Sequence, residues 1–526
     1  MKRMYLPLLF SLVATEALAG NQRLVVCTQA APEGFDIVQY ASAYTADASA
    51  EPLFNRLVEF APGTTDLIPG LAEDWKISDD GLTYTFNLRP GVKFHSTAWF
   101  TPSREFNADD VVWSFLRAHD RKHPWHDTAT RGYAYFEGMS MRELIQSVEK
   151  VDDMTVRFTL TRPETPFLAN MAMAFASIYS AEYGDQLLAA GKTNQLNHQP
   201  IGTGPFIFER YAKDTQIRYR ANPDYFRGSP KIDTLIFAIT TDANTRLQKL
   251  RAGECHVADN PKVEDLSVIR ANPALALDEI DAMITSYMVI NTQRKPLDDV
   301  RVRQAINMAV DKHALIRTLY GENQVTVAVN PYPPTLLGYN HAIEEWPYDP
   351  ARARALLDEA GVSDLQLDLF ISKGSGTINP ATVAQFVQED LNKVGIKVNI
   401  RAYEWGEMLK RTKSGEHHMM TISWIGDNGD PDNFLTPNLS CSAAETGENQ
   451  ARWCHPEFER LIREARTLED PEQRAERYER AQEVFHQQAP WVPLSHPRHR
   501  VARRSNVQGY VISPLGGSNY ANVEVQ

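Results

Sequence analysis

Residues 365–425 read LQLDLFISKGSGTINPATVAQFVQEDLNKVGIKVNIRAYEWGEMLKRTKSGEHHMMTISWI. Leu365, Leu367, Leu369 and Ile371 alternate along the chain, the period of two that defines a strand with one buried face. Pro380 opens a helix, where its fixed φ is favourable and its missing N–H is not needed. Val383, Phe386, Val387 and Leu391 then recur at helical spacing, and Gly395 ends the run. Ile396, Val398 and Ile400 alternate again, residues 406–413 read as a short helix, and Met419 to Ile425 as a third strand. The order is β-α-β-α-β. It implies parallel strands joined by right-handed crossovers, so the loops that follow the strands gather on one edge of the sheet. Open α/β sheets bind ligands at that edge. Geometry alone therefore nominates the loops 372–379 and 427–434.

Outward from this unit, the 526-residue chain exceeds what one hydrophobic core organises, and two or three packed units are expected. Leu24 to Cys27 reads as a short strand, and residues 82–95 as a hairpin-rich stretch alternating through Tyr84, Phe86 and Leu88. Asn107 caps a helix whose first turn holds Asp109 and Asp110. Gly202-Thr203-Gly204-Pro205 breaks the chain before strands at 206–208 and 217–219, a candidate crossover between domains. Residues 300–319 carry Val302, Ala305, Ile306 and Ala309 at helical spacing and read as one helix; Asp349-Pro350 starts another that Gly361 ends. No internal repeat or long Pro- or Ser-rich linker is present, so short hinges join the units.

The first residues carry an address. Lys2 and Arg3 precede an apolar run at 6–14, and Ala17-Leu18-Ala19 forms a small-x-small cleavage site, so cleavage after Ala19 and export to a periplasm-like compartment are expected. That run is too short to span a bilayer, no later stretch reaches ~20 apolar residues, and no membrane insertion is expected. The first cysteine is Cys27, away from the cleavage point, so a lipid anchor is not indicated. Cleavage removes Lys2, Arg3 and Glu16, a net +1, and takes the formal charge from -13 to -14. An acidic chain without a basic run has no means of neutralising phosphates, which sets nucleic acid aside as a partner. In an exported protein Cys27, Cys255, Cys441 and Cys454 read as disulfide partners, with three pairings open. Cys441 with Cys454 would enclose a short polar loop, leaving Cys27 for Cys255; buried free thiols are the alternative.

The loop Gly426-Asp427-Asn428-Gly429-Asp430-Pro431-Asp432-Asn433 follows directly on Trp424. Its carboxylates suit a ligand ammonium in a desolvated cleft, where charge-assisted hydrogen bonds are strong. Equally, Asp and Asn side chains bonding their own backbone would make this a self-stabilised turn. A calcium loop fits poorly, because Gly429 and Pro431 fall where side-chain oxygens are required. Trp405 and Trp424 stand near strand ends and either wall a pocket or pack in the core. His123, His126, His417 and His418 match no ligand set and read as solvated; no metal and no cofactor is expected. Gly-x-Ser-x-Gly, Gly-x-Gly-x-x-Gly, His-Glu-x-x-His and a phosphate-binding loop are all absent, so catalysis has no positive support. An exported peptide hydrolase or chaperone is the rival from another class, since triads are recognised by geometry and not by spacing.

These residues carry a resemblance. Pro32-Glu33-Gly34-Phe35, Asn55-Arg56-Leu57-Val58-Glu59-Phe60, Pro69-Gly70-Leu71-Ala72-Glu73, Asn107-Ala108-Asp109-Asp110-Val111, Pro200-Ile201-Gly202-Thr203-Gly204-Pro205-Phe206, Lys295-Pro296-Leu297-Asp298-Asp299-Val300, Tyr403-Glu404-Trp405-Gly406-Glu407 and the 426–433 loop span essentially the whole mature chain. Together they resemble the extracellular solute-binding proteins of peptide-type ABC transporters, above all the dipeptide-binding branch. The resemblance implies a three-domain, bilobal α/β periplasmic binding protein with discontinuous domains and a hinged ligand cleft, working as a monomer with transporter permease subunits. After a signal peptide at 1–19, domain I would comprise 20–55, 202–285 and 500–526, domain II 56–201 and domain III 286–499. It implies the disulfides Cys27 to Cys255 and Cys441 to Cys454, and it makes Asp427 the partner of a ligand α-ammonium. Trp424, Trp405 and Gly426 would border that ligand, with Tyr40, Ala43 and Tyr44 from an early loop and Gly376 and Ile378 from the loop before Asn379-Pro380. In that last loop dipeptide binders carry an Arg for the ligand carboxylate. Here the loop holds only Lys373, which lacks the planar two-bond fork. The ligand is therefore a small peptide or peptide-like amine, with an opine or modified amino acid, haem or a metal chelate as alternatives.

Overall fold

A computed structural model of the chain describes residues 22–40, 42–130, 132–321, 325–373, 379–446 and 449–526; the 1–19 leader and its cleavage site lie outside them. Gln366–Ser372 pairs in parallel with Lys397–Tyr403 on one side and with Met419–Ile425 on the other, as the β-α-β-α-β order requires. The crossovers are the helices Pro380–Lys393 and Trp405–Lys413. Asn379 caps the first, its Oδ1 accepting the Thr382 N–H at 3.1 Å. Met419–Ile425 then pairs antiparallel with Ile284–Ile290, which pairs antiparallel with Trp491–His496, and Thr326–Val327 closes the edge of a six-stranded mixed sheet. Alternation decides which face each side chain covers. Leu367, Leu369 and Ile371 meet Val383, Val387 and Leu391 of the first crossover helix, whereas Phe370 and Met420 enter a second core with Phe458 and Phe485.

A seven-stranded sheet draws on the beginning, middle and end of the described chain: Arg23–Thr28 lies at its centre between Thr234–Ile239 and Val257–Asp259, and Arg498–Arg504 lies between Val257–Asp259 and Leu275–Asp281. Two short connections join it to the six-stranded sheet, Ala282 and Met283 between Leu275–Asp281 and Ile284–Ile290, and Pro497 between Trp491–His496 and Arg498–Arg504. A four-stranded antiparallel sheet, containing Thr83–Leu88 and Thr155–Leu160, packs Phe86 and Phe158 against Phe115 of helix Ala108–His119. That helix has the expected start: the Asn107 side chain accepts the Asp109 N–H at 3.0 Å, and Asp110 reaches back to the Asn107 N–H at 3.0 Å. Cys27 is bonded to Cys255 and Cys441 to Cys454, with Cα separations of 5.9 and 4.5 Å, which selects one of the three pairings.

Two local readings need correction. The 82–95 stretch is a strand only over Thr83–Leu88, since Pro90 offers no N–H and Gly91 turns at φ +75°. The 300–319 helix is two, Val300–Ala309 and Lys312–Tyr320. Asp311 interrupts it: its N–H donates to Asp390 Oδ2 at 2.9 Å, and its own carboxylate accepts the Ala314 N–H at 2.9 Å as a fresh cap.

Gly202-Thr203-Gly204 lies against the end of helix Ala43–Leu53, close enough that a Cβ on Gly202 would stand 2.0 Å from the Leu53 carbonyl oxygen. The contact is backbone on backbone, with the Gly204 N–H donating to Leu53 O at 2.9 Å, so no side chain can rotate away. Gly202→Ala is expected to lower stability by about 1–3 kcal/mol through overpacking. Gly406→Ala, in a helix where a Cβ meets nothing within 4 Å, is expected to be neutral or stabilising by up to ~1 kcal/mol. Urea midpoints of the two variants check this, and equal midpoints would show that the Gly202 contact is not a constraint.

Candidate functional site

The strand Met419–Ile425 delivers its last residues to a turn that only glycine fits: a Cβ on Gly426 would lie 2.6 Å from a Phe434 ring carbon, while the Gly426 N–H donates to Met283 O at 2.6 Å. Asn433 then fixes the next step. Its Oδ1 accepts both the Asp427 N–H at 3.1 Å and the Trp424 indole N–H at 3.2 Å. The acidic residues of this loop divide by role. Asn428 and Asp430 accept backbone N–H groups of Asp430 and Asp432, both at 2.9 Å, which is the self-stabilised turn. Asp430 also grips Arg474 at 2.7 and 2.9 Å, and Asp432 lies 3.6 Å from Arg466. Asp427 differs from both. The Tyr135 hydroxyl lies beside its carboxyl and favours the ionised form, while Oδ2 is buried without a hydrogen-bond partner among the described residues. Burial pushes the carboxyl up to about 7, and the Tyr135 hydroxyl offsets only part of that.

Asp427 lines a cavity of about 950 Å³, part of it open to solvent. The facing walls come from far away in sequence: Tyr40 and Ala43, then Asp47, Glu51 and Arg56, the turn at 60–64, Tyr135, residues 172–174, and the segment 511–519. Asp427 as a residue keeps partial exposure, yet protein surrounds its carboxylate; a group in the wall of a narrow cleft satisfies both descriptions. Across the cleft Asn428 donates to Asn170 at 2.6 Å, Arg466 meets Glu164 at 2.5 Å, and the Thr165 N–H donates to Arg466 O at 2.8 Å. The loop carrying Asp427 is thus held against the 164–170 segment.

Of the residues nominated from sequence, Asp427, Tyr40 and Ala43 line this cavity together. Tyr40 is buried, its hydroxyl accepting from Asn197 at 2.8 Å. Trp424 and Gly426 support the strand end from behind, Trp424 against the core that holds Phe434. Tyr44 turns to the Gln29 amide and is 40% exposed, outside the cavity lining. Trp405 is 51% exposed at the first turn of its helix, while Met408 and Thr412 on the same face are buried, and it is not part of the cavity lining. Gly376 and Ile378 lie outside the described residues, and Lys373 pairs with Glu404 at 3.4 Å on the surface. His417 is a core residue and not a solvated one: its Nε2 bonds Gln450 O at 2.8 Å and burial lowers its pKa to about 4. Sequence reasoning missed Tyr135, Asp47, Glu51 and Arg56. Only the four-residue spacing of Asp47 and Glu51, which puts both on one helix face, offered a signal.

Among the described residues no group of three or more His, Cys, Asp or Glu side chains is placed to hold a metal, and no helix is long and apolar enough to cross a membrane. Two sheets joined by two short connections, with a cleft lined by the desolvated carboxyls of Asp427 and Asp47, define a protein built to enclose a small solute. The chain belongs to the bacterial extracellular solute-binding proteins, family 5, whose middle-region description matches residues 66–446. It is 63% identical to di/tripeptide-binding protein 4 of Pseudomonas aeruginosa over 99% of this chain and 98% of that one. A dipeptide-binding protein of Pseudoalteromonas, solved in complex with Met-Leu, superposes with a TM-score of 0.88 at 35% identity, over 96% of this chain and 100% of the other. An ABC transporter-associated periplasmic binding protein of Helicobacter pylori, in complex with the peptide STSA, gives a TM-score of 0.87 at 37% identity, over 96% and 98%. The fold is the bilobal α/β periplasmic binding protein fold, and the family and these relatives are binding proteins.

Proposed function

We propose that this protein, exported by cleavage after Ala19, captures small peptides with a free amino terminus in the periplasm and delivers them to the permease of an ABC transporter. It acts as a single chain and without catalysis. The observation that carries this reading is the buried Asp427 carboxyl in the cavity lining at the end of a strand, its Oδ2 without a hydrogen-bond donor among the described residues. A ligand ammonium supplies the missing donor, in a place where a charge-assisted bond is not diluted by water. Relatives named for di- and tripeptides support the ligand class. We place the hinge at Ala282-Met283 and at Pro497, the short links between the two large sheets, close to the boundaries at 285/286 and 499/500 expected from the sequence between domain I and domain III. Closure around the hinge buries the ligand and presents the form a permease recognises.

Calorimetry on protein freed of co-purified ligand tests this. Di- and tripeptides with a free amino terminus are expected to bind, and their N-acetylated analogues to bind at least about 100-fold more weakly, because acetylation removes the charge that Asp427 answers. A bound peptide at 100 times its Kd also raises stability by about 2.7 kcal/mol, readable as a thermal shift. Equal affinity for acetylated and free peptides would end the anchoring role.

A further inference from the structure

Helix Ala43–Leu53 places Asp47 and Glu51 one turn apart, and both line the cavity that holds Asp427. Like charges at that spacing repel. The helix nevertheless keeps them side by side next to a third carboxylate, Asp259, whose field also acts on Asp47. Asp47 accepts the Ser518 N–H at 3.1 Å and the Tyr520 hydroxyl at 3.3 Å, and no Lys or Arg among the described residues forms an ion pair with it. His499, which also feels the field of Asp47, bonds Asp259 at 3.4 Å. Glu51 has one cation, Arg56, at 3.2 Å. Arg56 is itself buried, with Nε and Nη1 out of solvent and without acceptors, and Glu59 stands on its other side.

The lining therefore holds three carboxylates, Asp47, Glu51 and Asp427, against one guanidinium already committed to Glu51. One ammonium at Asp427 leaves this cavity negative. Position 517, facing the helix, is glycine: a Cβ there would lie 3.5 Å from Glu51 Cγ and 3.8 Å from Asp47 Oδ1, so no side chain from that position covers the two carboxylates. Asp427, in the same lining, likewise has a buried Oδ2 without a hydrogen-bond donor among the described residues.

We propose that the cavity selects peptides carrying a basic side chain, the α-ammonium meeting Asp427 and the lysine or arginine head meeting Asp47 and Glu51. This rests on the peptide reading above and adds the class of side chain.

The experiment is calorimetry on ligand-free protein with two matched pairs, alanyl-lysine against alanyl-norleucine and lysyl-alanine against norleucyl-alanine. At least one pair is expected to show the lysine peptide bound about tenfold or more tightly, the worth of one charge-assisted contact. In Glu51→Gln, and separately in Asp47→Asn, that ratio is expected to fall toward one whatever happens to the neutral peptide. The wild-type ratio decides even if a variant fails to fold. Neutral peptides bound with both ratios near one, or alanyl-glutamate preferred to alanyl-glutamine through Arg56, would overturn this inference and leave the peptide reading standing. Failure of every free-amine peptide to bind would remove both.

Discussion

Asp427→Asn is expected to weaken peptide binding by about 100-fold or more and to flatten its dependence on pH, leaving only the part that Asp47, raised to about 7 in the same cavity, contributes. The substitution is isosteric, and Tyr135 can still donate its hydroxyl to the amide oxygen, so the strand end held by Asn433 is preserved. What disappears is the negative charge opposite the ligand ammonium. Removing one partner of a desolvated pair costs about 2–5 kcal/mol, much of it the penalty of leaving the other charge unpaired. The pH dependence follows from the free protein, in which burial holds the Asp427 carboxyl at about 7. An ammonium binds only the carboxylate and so lowers that pKa, which means that binding expels protons near neutrality. Affinity is therefore expected to hold above about pH 7 and to fall by up to tenfold per unit below it, until the pKa of the complex is reached. For folding the sign is opposite. A carboxyl raised above its ordinary value binds more protons in the folded state, so through Asp427 the ligand-free protein gains stability as pH falls from about 7 toward about 4. Calorimetry in buffers of different ionisation heat counts the protons released. No release by the wild type, or an unchanged pH slope in Asp427→Asn, would assign the ammonium to another group.

The position of Asp427 is legible in the amino-acid sequence, because alternation and helix signals define a β-α-β-α-β unit and the unit determines which strand ends face a ligand. Its chemistry is not. Asp427, Asp430 and Asp432 are indistinguishable in a string of Asp, Asn and Gly, and only the folded distances to Arg474 and Arg466 show that two of them are structural. The opposite wall is equally hidden: Tyr135, Arg56 and the 511–519 segment reach the cavity through tertiary packing, which leaves no period in the sequence. Trp405 shows the reverse failure. An aromatic residue near a strand end satisfies both a pocket and a surface reading, and here the described residues leave it exposed. The break at Asp311 escapes notice for a related reason, since an aspartate inside a helical pattern looks like one more solvated residue until its carboxylate is seen capping Ala314.

Arg466→Ala is expected to open the molecule. The guanidinium lies between Glu164 at 2.5 Å and Asp432 at 3.6 Å, and both carboxylates are almost wholly buried, with side chains 2% and 4% exposed. Burial raises the pKa of each, and the attraction of Arg466 is the largest effect pulling each back down. Without it, two carboxylates remain desolvated, Glu164 with only Arg162 at 3.3 Å and Asp432 within the field of Arg474. Breaking a buried ion network in this way costs about 3–5 kcal/mol. The chain has two ways to relieve that cost. It can unfold, or it can separate the 164–170 segment from the 428–468 segment, letting water reach both carboxylates while each core stays intact. Separation is the smaller disruption, because what crosses there is a few polar contacts, Thr165 to Arg466 and Leu468 and Asn428 to Asn170, and not a hydrophobic core. The variant is therefore expected to show a larger radius of gyration by small-angle scattering, with peptide bound as well as free, and a peptide affinity reduced by about tenfold or more. Lowering the pH should restore the stability, though not the affinity. With Arg466 gone the folded-state pKa of Glu164 and Asp432 rises further above the unfolded value, so the folded state binds extra protons and the deficit shrinks as pH falls through those values. Thermal midpoints at pH 8 and pH 5 measure that convergence. A radius of gyration and a midpoint both equal to those of the wild type would mean that the contacts around Thr165 and Asn428 hold the cleft without the ion pair.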